Sequence, residues 1–372
     1  MSKVKVHEKL AGVIVDKCLR INENDNVTIF LYPRHIPLAE EIAHECFRKG
    51  ADVLLNLYTD NYYLSYMNEL SVESLRQPSV FCKVLSEYST AQVWLEGLED
   101  PRIFKKIPAE KSDAAGEGEN KAHAPYYKKV RSIGLGLALV TPKRAKTYGF
   151  DYAKWKRMME AASTVDYEQL AATGRSLKEA LSQAGTIHIT APEGTDLTLD
   201  VSGRPWRVTD GVIDERDMNE GNAMDQIPAG SIYTTPTNAD GTIVFNVRTP
   251  YSGVAVGKVE WKFKEGKVVD FGGDSSAKKV RDLWEKSSGD KDKIGYFGLG
   301  FNPKVKTGYT VNEIASGAVS IGIGGNEPLG GTNKSGFYFQ HSLTGATVTS
   351  DAKTLLKDGQ LVPWYERRNL NP

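Results

Sequence analysis

The sequence predicts an α/β domain with a mostly parallel sheet, followed by a β-rich α+β domain. Three observations predict it. Over the first half, short apolar runs alternate with amphipathic helical stretches, the pattern of β-α-β units. From Gly185 the helices give way to short strands and tight turns. Between Asp292 and His341 the chain becomes a series of apolar runs cut by glycines: Tyr296–Gly300, Ala318–Ile323 and Gly336–Gln340. The expected domains are residues 1–184 and 185–372.

His7 to Ile21 reads as a helix, with Leu10, Val13, Ile14, Cys18 and Ile21 at the spacing of one face. Val27–Tyr32 suits a buried strand. Pro37 opens a second helix whose face is Leu38, Ile42 and Cys46, and Gly50 stops it. Val53–Tyr58 and Gln92–Leu95 are further strands, with a helical stretch from Val72 to Tyr88 between them. The segment Pro108–Ala124 is polar and glycine-bearing and reads as a surface loop, with His123 solvated. Leu137–Tyr148 reads as a strand, a turn and a short helix; Asp151–Met159 and Val165–Leu181 as helices.

In the second half, the stretch from Gly257 to Phe271 reads as paired strands about a tight turn. Thr209–Gln226 is acidic and turn-rich. Asp351–Leu356 and Trp364–Arg368 close the chain.

Basic and acidic side chains balance at 47 each, so no long-range field favours nucleic acid or an anionic membrane. No apolar run reaches the roughly 18 residues that span a bilayer. The N-terminal segment has no apolar signal core, and the expectation is a soluble cytoplasmic protein. Cys18, Cys46 and Cys82 are widely spaced, which reads as buried free thiols rather than a zinc site. No Gly-rich phosphate turn follows any strand of the first half.

Four segments carry a resemblance: Ile227–Pro236 (IPAGSIYTTP), YFGLG from Tyr296, GAVS ending at Ser320, and YFQ from Tyr338. They resemble the C-terminal domain of the metal-dependent leucyl aminopeptidase family that includes aminopeptidases T and S. VIVDKCLRINENDNVTIF, VWLEGLEDPR and the Thr-Pro-x-Arg-Ala-x-Thr stretch resemble its N-terminal domain and linker, so the likeness runs from about residue 10 to about 360. It implies an aminopeptidase-like second domain, a homodimer, and two divalent metal ions such as zinc or cobalt, used to hydrolyse N-terminal residues.

The metal-binding letters differ. Ser231 stands where the family's turn glutamate belongs, and Tyr296 where the strand glutamate belongs. Ser320 replaces a histidine; Tyr338 and Gln340 replace the final His-x-Asp. Neutral oxygens do not offset two dications, because nothing repays the ions' desolvation. The expectation is therefore an aminopeptidase-like protein without a working two-metal site, binding a peptide or small molecule or serving structurally, with no metal cofactor. The alternative is an active metal-dependent aminopeptidase with relocated ligands, drawn from Glu215, Asp217, Glu220, Asp225 and His188. His341 follows Gln340, but alternation along a strand turns it to the other face unless a bulge intervenes. Glu313 is a further candidate, as a turn residue or a remnant polar group. Ser231 or Ser320 as a nucleophile with His341 lacks a Gly-x-Ser-x-Gly elbow. A branch of the same fold that cleaves dihydroxypyridine rings with one iron needs histidine and carboxylate ligands absent at these positions.

Overall fold

The computed structural model describes residues 3–126, 128–251, 253–351 and 353–362; the predicted closing segment Trp364–Arg368 lies outside them. The chain forms two compact units. The first comprises Met1–Tyr167 and Gly211–Ala229, the second Glu168–Asp210 and Gly230–Pro372.

The first unit is built on β1 (Asn26–Leu31), β2 (Asp52–Leu57), β3 (Ala91–Leu95) and β4 (Arg131–Leu135), in the order β2-β1-β3-β4, all parallel. A fifth parallel strand, Met224–Ile227, pairs with β4. Helix α1 (Lys3–Gly12) precedes the first strand, and α2 (Ile36–Arg48), α3 (Asp60–Glu69), α4 (Val72–Leu75), α5 (Val80–Tyr88), α6 (Ala109–His123), α7 (Pro142–Tyr148) and α8 (Tyr152–Ala162) follow in the connections between strands. In β1 only Asn26 is exposed, as expected of a strand with helices on both faces. Leu38, Ile42 and Cys46 of α2 are buried, which is the face their spacing sets. At the amino end of the sheet, Arg131 is hydrogen-bonded to the carboxylate of Asp25, which also accepts from Thr90 Oγ1 at 2.6 Å and Asn22 N at 2.8 Å.

Three expectations are corrected here. Pro108–Ala124 is not a loop: α6 runs through it. Its buried positions include Ala114, Gly118 and Ala122, spaced four apart. A Cβ on Gly118 would lie 2.2 Å from Leu75 O, so only glycine admits so close a backbone. His123 is not solvated either, since its Nδ1 sits 2.8 Å from Ser86 Oγ and burial lowers its pKa. The strand placed at Leu137 lies earlier, at β4, and Gly136–Leu139 is a 3-10 turn.

The second unit begins in α9 (Tyr167–Leu181) and continues through β5 (Thr186–Ala191), β6 (Thr195–Asp200) and β7 (Arg207–Thr209). The chain then returns to the first unit for α10 (Glu215–Glu220) and the strand Met224–Ile227, now β8. Back in the second unit come β9 (Ser231–Thr234), β10 (Asn238–Phe245), β11 (Thr249–Tyr251), β12 (Val254–Val256), β13 (Val259–Lys264), β14 (Lys267–Gly273), α11 (Lys278–Lys286), β15 (Ile294–Gly300), β16 (Val319–Gly324), β17 (Tyr338–Leu343), β18 (Thr347–Ser350), β19 (Lys353–Lys357) and β20 (Gln360–Leu361). One antiparallel sheet runs β14-β13-β10-β6-β5-β18-β19-β20 and another β17-β16-β15-β9-β7. Aromatic side chains join them: Trp261 lies 5.9 Å from Phe339, and Phe245 lies 4.9 Å from the ring of His341. The expected single cut at residue 184 differs from this division. Helix α9 belongs almost wholly with the second unit, and residues 211–229 belong with the first because β8 completes its sheet.

The three cysteines are free thiols; Cys18 and Cys46 are buried, but Cys82, expected buried, is only half-buried. Among the described residues, no helix is long and apolar enough to cross a membrane.

Candidate functional site

Strand alternation and register gather the five substituted positions on one face of the smaller sheet. Tyr296 pairs with Gly322 and Gly322 with Gln340; Gly298 pairs with Ser320; Gly324 pairs with Tyr338; Gly300 pairs with Ser231. Partners directly opposite in a sheet share a face, so Ser231, Tyr296, Ser320, Tyr338 and Gln340 share theirs. The same rule adds four residues that the sequence reading missed: Arg207, Thr209, Tyr233 and Ser342. The signal was present, since Tyr233 and Ser342 each lie two residues from a predicted position.

Glycines occupy the intervening sites, and the two phenols lie across them. A Cβ on Gly298 would come 2.4 Å from the Tyr296 hydroxyl. One on Gly322 would come 3.0 Å from the Tyr338 hydroxyl. The short segment Asn312–Ile314 crosses Gly300 so closely that a Cβ there would sit 2.7 Å from Glu313 O. Glu313 is thus at the site, with its charge acting on both phenols.

These groups satisfy one another. Tyr338 donates to Gln340 Oε1 at 2.7 Å, and Ser320 and Ser342 share a hydroxyl bond at 2.7 Å. Thr209 and Ser231 are joined at 2.6 Å. The Tyr296 ring stacks on Tyr233 at 5.3 Å. Burial, then the Tyr338, Glu313 and Tyr233 groups, push the Tyr296 pKa well above its ordinary value. Burial, followed by Glu313 and Tyr233, does the same for Tyr338. Both phenols are therefore neutral at physiological pH.

A pair of divalent cations does not fit this donor set. It consists of hydroxyls, protonated phenols and one amide, with a single carboxylate at its margin, whereas hard dications need several anionic oxygens or imidazoles. Among the described residues, no three His, Cys, Asp or Glu side chains gather where they could hold a metal ion.

His341 faces the opposite way, into the core between the sheets. Its Nε2 donates to Gly257 O at 2.7 Å, and its Nδ1 accepts from Thr249 Oγ1 at 2.8 Å. Burial holds its pKa down to about 4, against a smaller upward pull from the Gly257 bond. Ser231 and Ser320 therefore have no imidazole partner in this histidine, which removes the nucleophile reading. The acidic run is engaged locally. Asp217 closes a capping box with Asp214 on α10, and Asp225 accepts from Gly211 N at 2.8 Å. His188 pairs with Asp196 at 2.8 Å on the larger sheet.

Residues 4–304 match the thermophilic metalloprotease (M29) family. That span includes Ser231 and Tyr296; Ser320, Tyr338 and Gln340 lie past its end. No curated protein sequence matches the chain. Among solved structures, wild-type AmpT from Thermus thermophilus superposes with a TM-score of 0.75 at 14% identity, covering 96% of this chain and 99% of that one. A 2,5-dihydroxypyridine dioxygenase from Pseudomonas putida superposes with a TM-score of 0.64, also at 14% identity, covering 98% of each chain. Such identities establish a common fold. With the family match spanning most of its length, this chain belongs to the thermophilic metalloprotease (M29) family.

Proposed function

We propose that this chain keeps the metalloprotease fold without the two-metal reaction, and acts as a ligand- or peptide-binding or structural protein. The observation that carries the reading is the neutral face on which Ser231, Tyr296, Ser320, Tyr338 and Gln340 lie, with Ser231 bonded to Thr209, Ser320 to Ser342 and Tyr338 to Gln340. The positions that would need charge to hold cations are filled by neutral groups, four of which are hydrogen-bonded within the same face.

Elemental analysis of the purified protein, dialysed without chelator, tests it. The expected result is no stoichiometric zinc, cobalt or manganese, together with no release of amino acids from a panel of aminoacyl substrates supplied with those ions. Two tightly held ions per chain would overturn the proposal. Family membership keeps one alternative in view, an active aminopeptidase with relocated ligands. Metal-dependent hydrolysis that survives Ser231→Ala and Tyr296→Phe would establish it. A homodimer, which the family resemblance implies, is part of the same proposal, and sedimentation equilibrium tests it.

A further inference from the structure

The first unit holds a cavity of its own, about 440 Å³ in volume, alongside the edge strand β2. Its walls include Tyr58, Tyr62, Tyr66 and Phe81, with Glu119 at the side and Leu54, Leu55 and Leu57 of β2 forming an apolar wall. The volume is that of a small-molecule site. The rings of Tyr58 and Tyr62 meet edge to face at 5.7 Å, and Asn56 Nδ2 holds the Tyr58 hydroxyl at 3.1 Å. Tyr62 and Phe81 remain largely exposed at the rim, at 58% and 81%.

Among the described lining residues the only charged side chain is Glu119, with no lysine or arginine. Glu96, directly after β3, lies near enough to act on Tyr58. Burial and then the neighbouring Glu119 charge push the Glu96 carboxyl up to about 7. Burial raises Glu119 as well. Among the described residues, neither carboxylate has a hydrogen-bond or ion-pair partner. Glu96 and Tyr58 are the residues immediately after the carboxyl ends of β3 and β2.

We propose that this cavity binds a small organic cation, a primary or quaternary ammonium on an apolar body. The tyrosine rings and Phe81 surround the cationic head through their π-faces, and Glu119 and Glu96 supply the counter-charge. An anionic ligand would meet the Glu119 carboxylate, with no lysine or arginine among the described lining residues to compensate. A metal ion would find too few ligands, since no group of three forms here among the described residues.

Titration calorimetry on the full chain tests this with three probes: 2-phenylethylammonium, benzyltrimethylammonium, and the neutral 2-phenylethanol. Both cations should bind saturably, and the alcohol about tenfold more weakly or worse. Glu119→Gln and Glu96→Gln should each weaken both cations several-fold without lowering the Tm. Tyr62→Ala and Phe81→Ala, both at the exposed rim, should weaken benzyltrimethylammonium while the protein stays folded. The proposal is overturned if the alcohol binds as well as the amine. It is also overturned if the glutamine variants bind the cations unchanged, or if neither cation saturates at millimolar concentration.

Discussion

Replacing Tyr296 by glutamate restores a letter of the family strand and asks whether this face tolerates charge. Tyr296 is buried to 4% exposure, so the new carboxyl would sit in a dry site. Carboxyls in such sites titrate near 8 to 9, whereas an unfolded glutamate titrates near 4.3. The folded pKa is raised, so stability is intact below about pH 4 and is lost as the pH climbs toward the folded value. At pH 7 the loss spans roughly 2.7 pH units, or about 3.7 kcal/mol; at pH 5 it is about 1 kcal/mol. The neighbouring Glu313 charge adds in the same direction. Losing the ring stacked on Tyr233 costs a further 1–3 kcal/mol or so at either pH. Equilibrium urea unfolding at pH 5 and pH 7 should therefore show deficits that differ by about 2.7 kcal/mol, with and without added zinc. An equal deficit at both pH values, or recovery of stability with zinc, would refute the reasoning.

His341 is held near 4, below its ordinary value of about 6.5. Its contribution is whole above pH 6.5 and fades as the pH falls toward 4, by about 3 kcal/mol. His341→Gln should flatten that part of the stability–pH curve measured by urea unfolding. Asp25→Ala leaves the Arg131 guanidinium, only 17% exposed, without its carboxylate, and should cost about 3 kcal/mol in the same assay. Gly300→Ala would set a methyl group 2.2 Å from Ala315 O and should lower stability by more than about 2 kcal/mol. Gly116→Ala, on α6 with open space around it, should raise the Tm slightly, in keeping with a helix gain of about 0.5–1 kcal/mol.

Elements with a strong period or turn signal were legible in the sequence. Val27–Tyr32 is an apolar run that becomes β1, and the stripe Leu38, Ile42, Cys46 becomes the buried face of α2. The β13–β14 hairpin turns through Glu265 and Gly266, both at positive φ, where a Gly following the first residue is a strong cue. Helix α6 was not legible, because the stripe it buries is made of alanine and glycine, whose small side chains leave little apolar signal. Strand β8 was hidden for a similar reason. Its sequence, MDQI, is short and half polar, and it becomes a strand only because the edge of β4 is there to pair with. The site was visible as five positions through the resemblance. That they share one face with Thr209, Tyr233 and Ser342 follows from register, which needs the partner strands to be known.

The route of the chain has a consequence for synthesis. Strand β4 ends at Leu135, but its outer neighbour β8 ends at Ile227, and the intervening chain has meanwhile begun the other unit. At 5–20 residues per second, roughly ninety residues take on the order of 5–20 seconds to emerge. During that time the edge of β4 has no native partner, and a ribosome-bound chain cannot finish its first unit. A fragment truncated near residue 184 would carry that open edge permanently. Such a fragment is suited to pairing with its own copies rather than remaining a monomer, so a separable N-terminal piece must include residues 211–229, supplied either in the same chain or as a peptide.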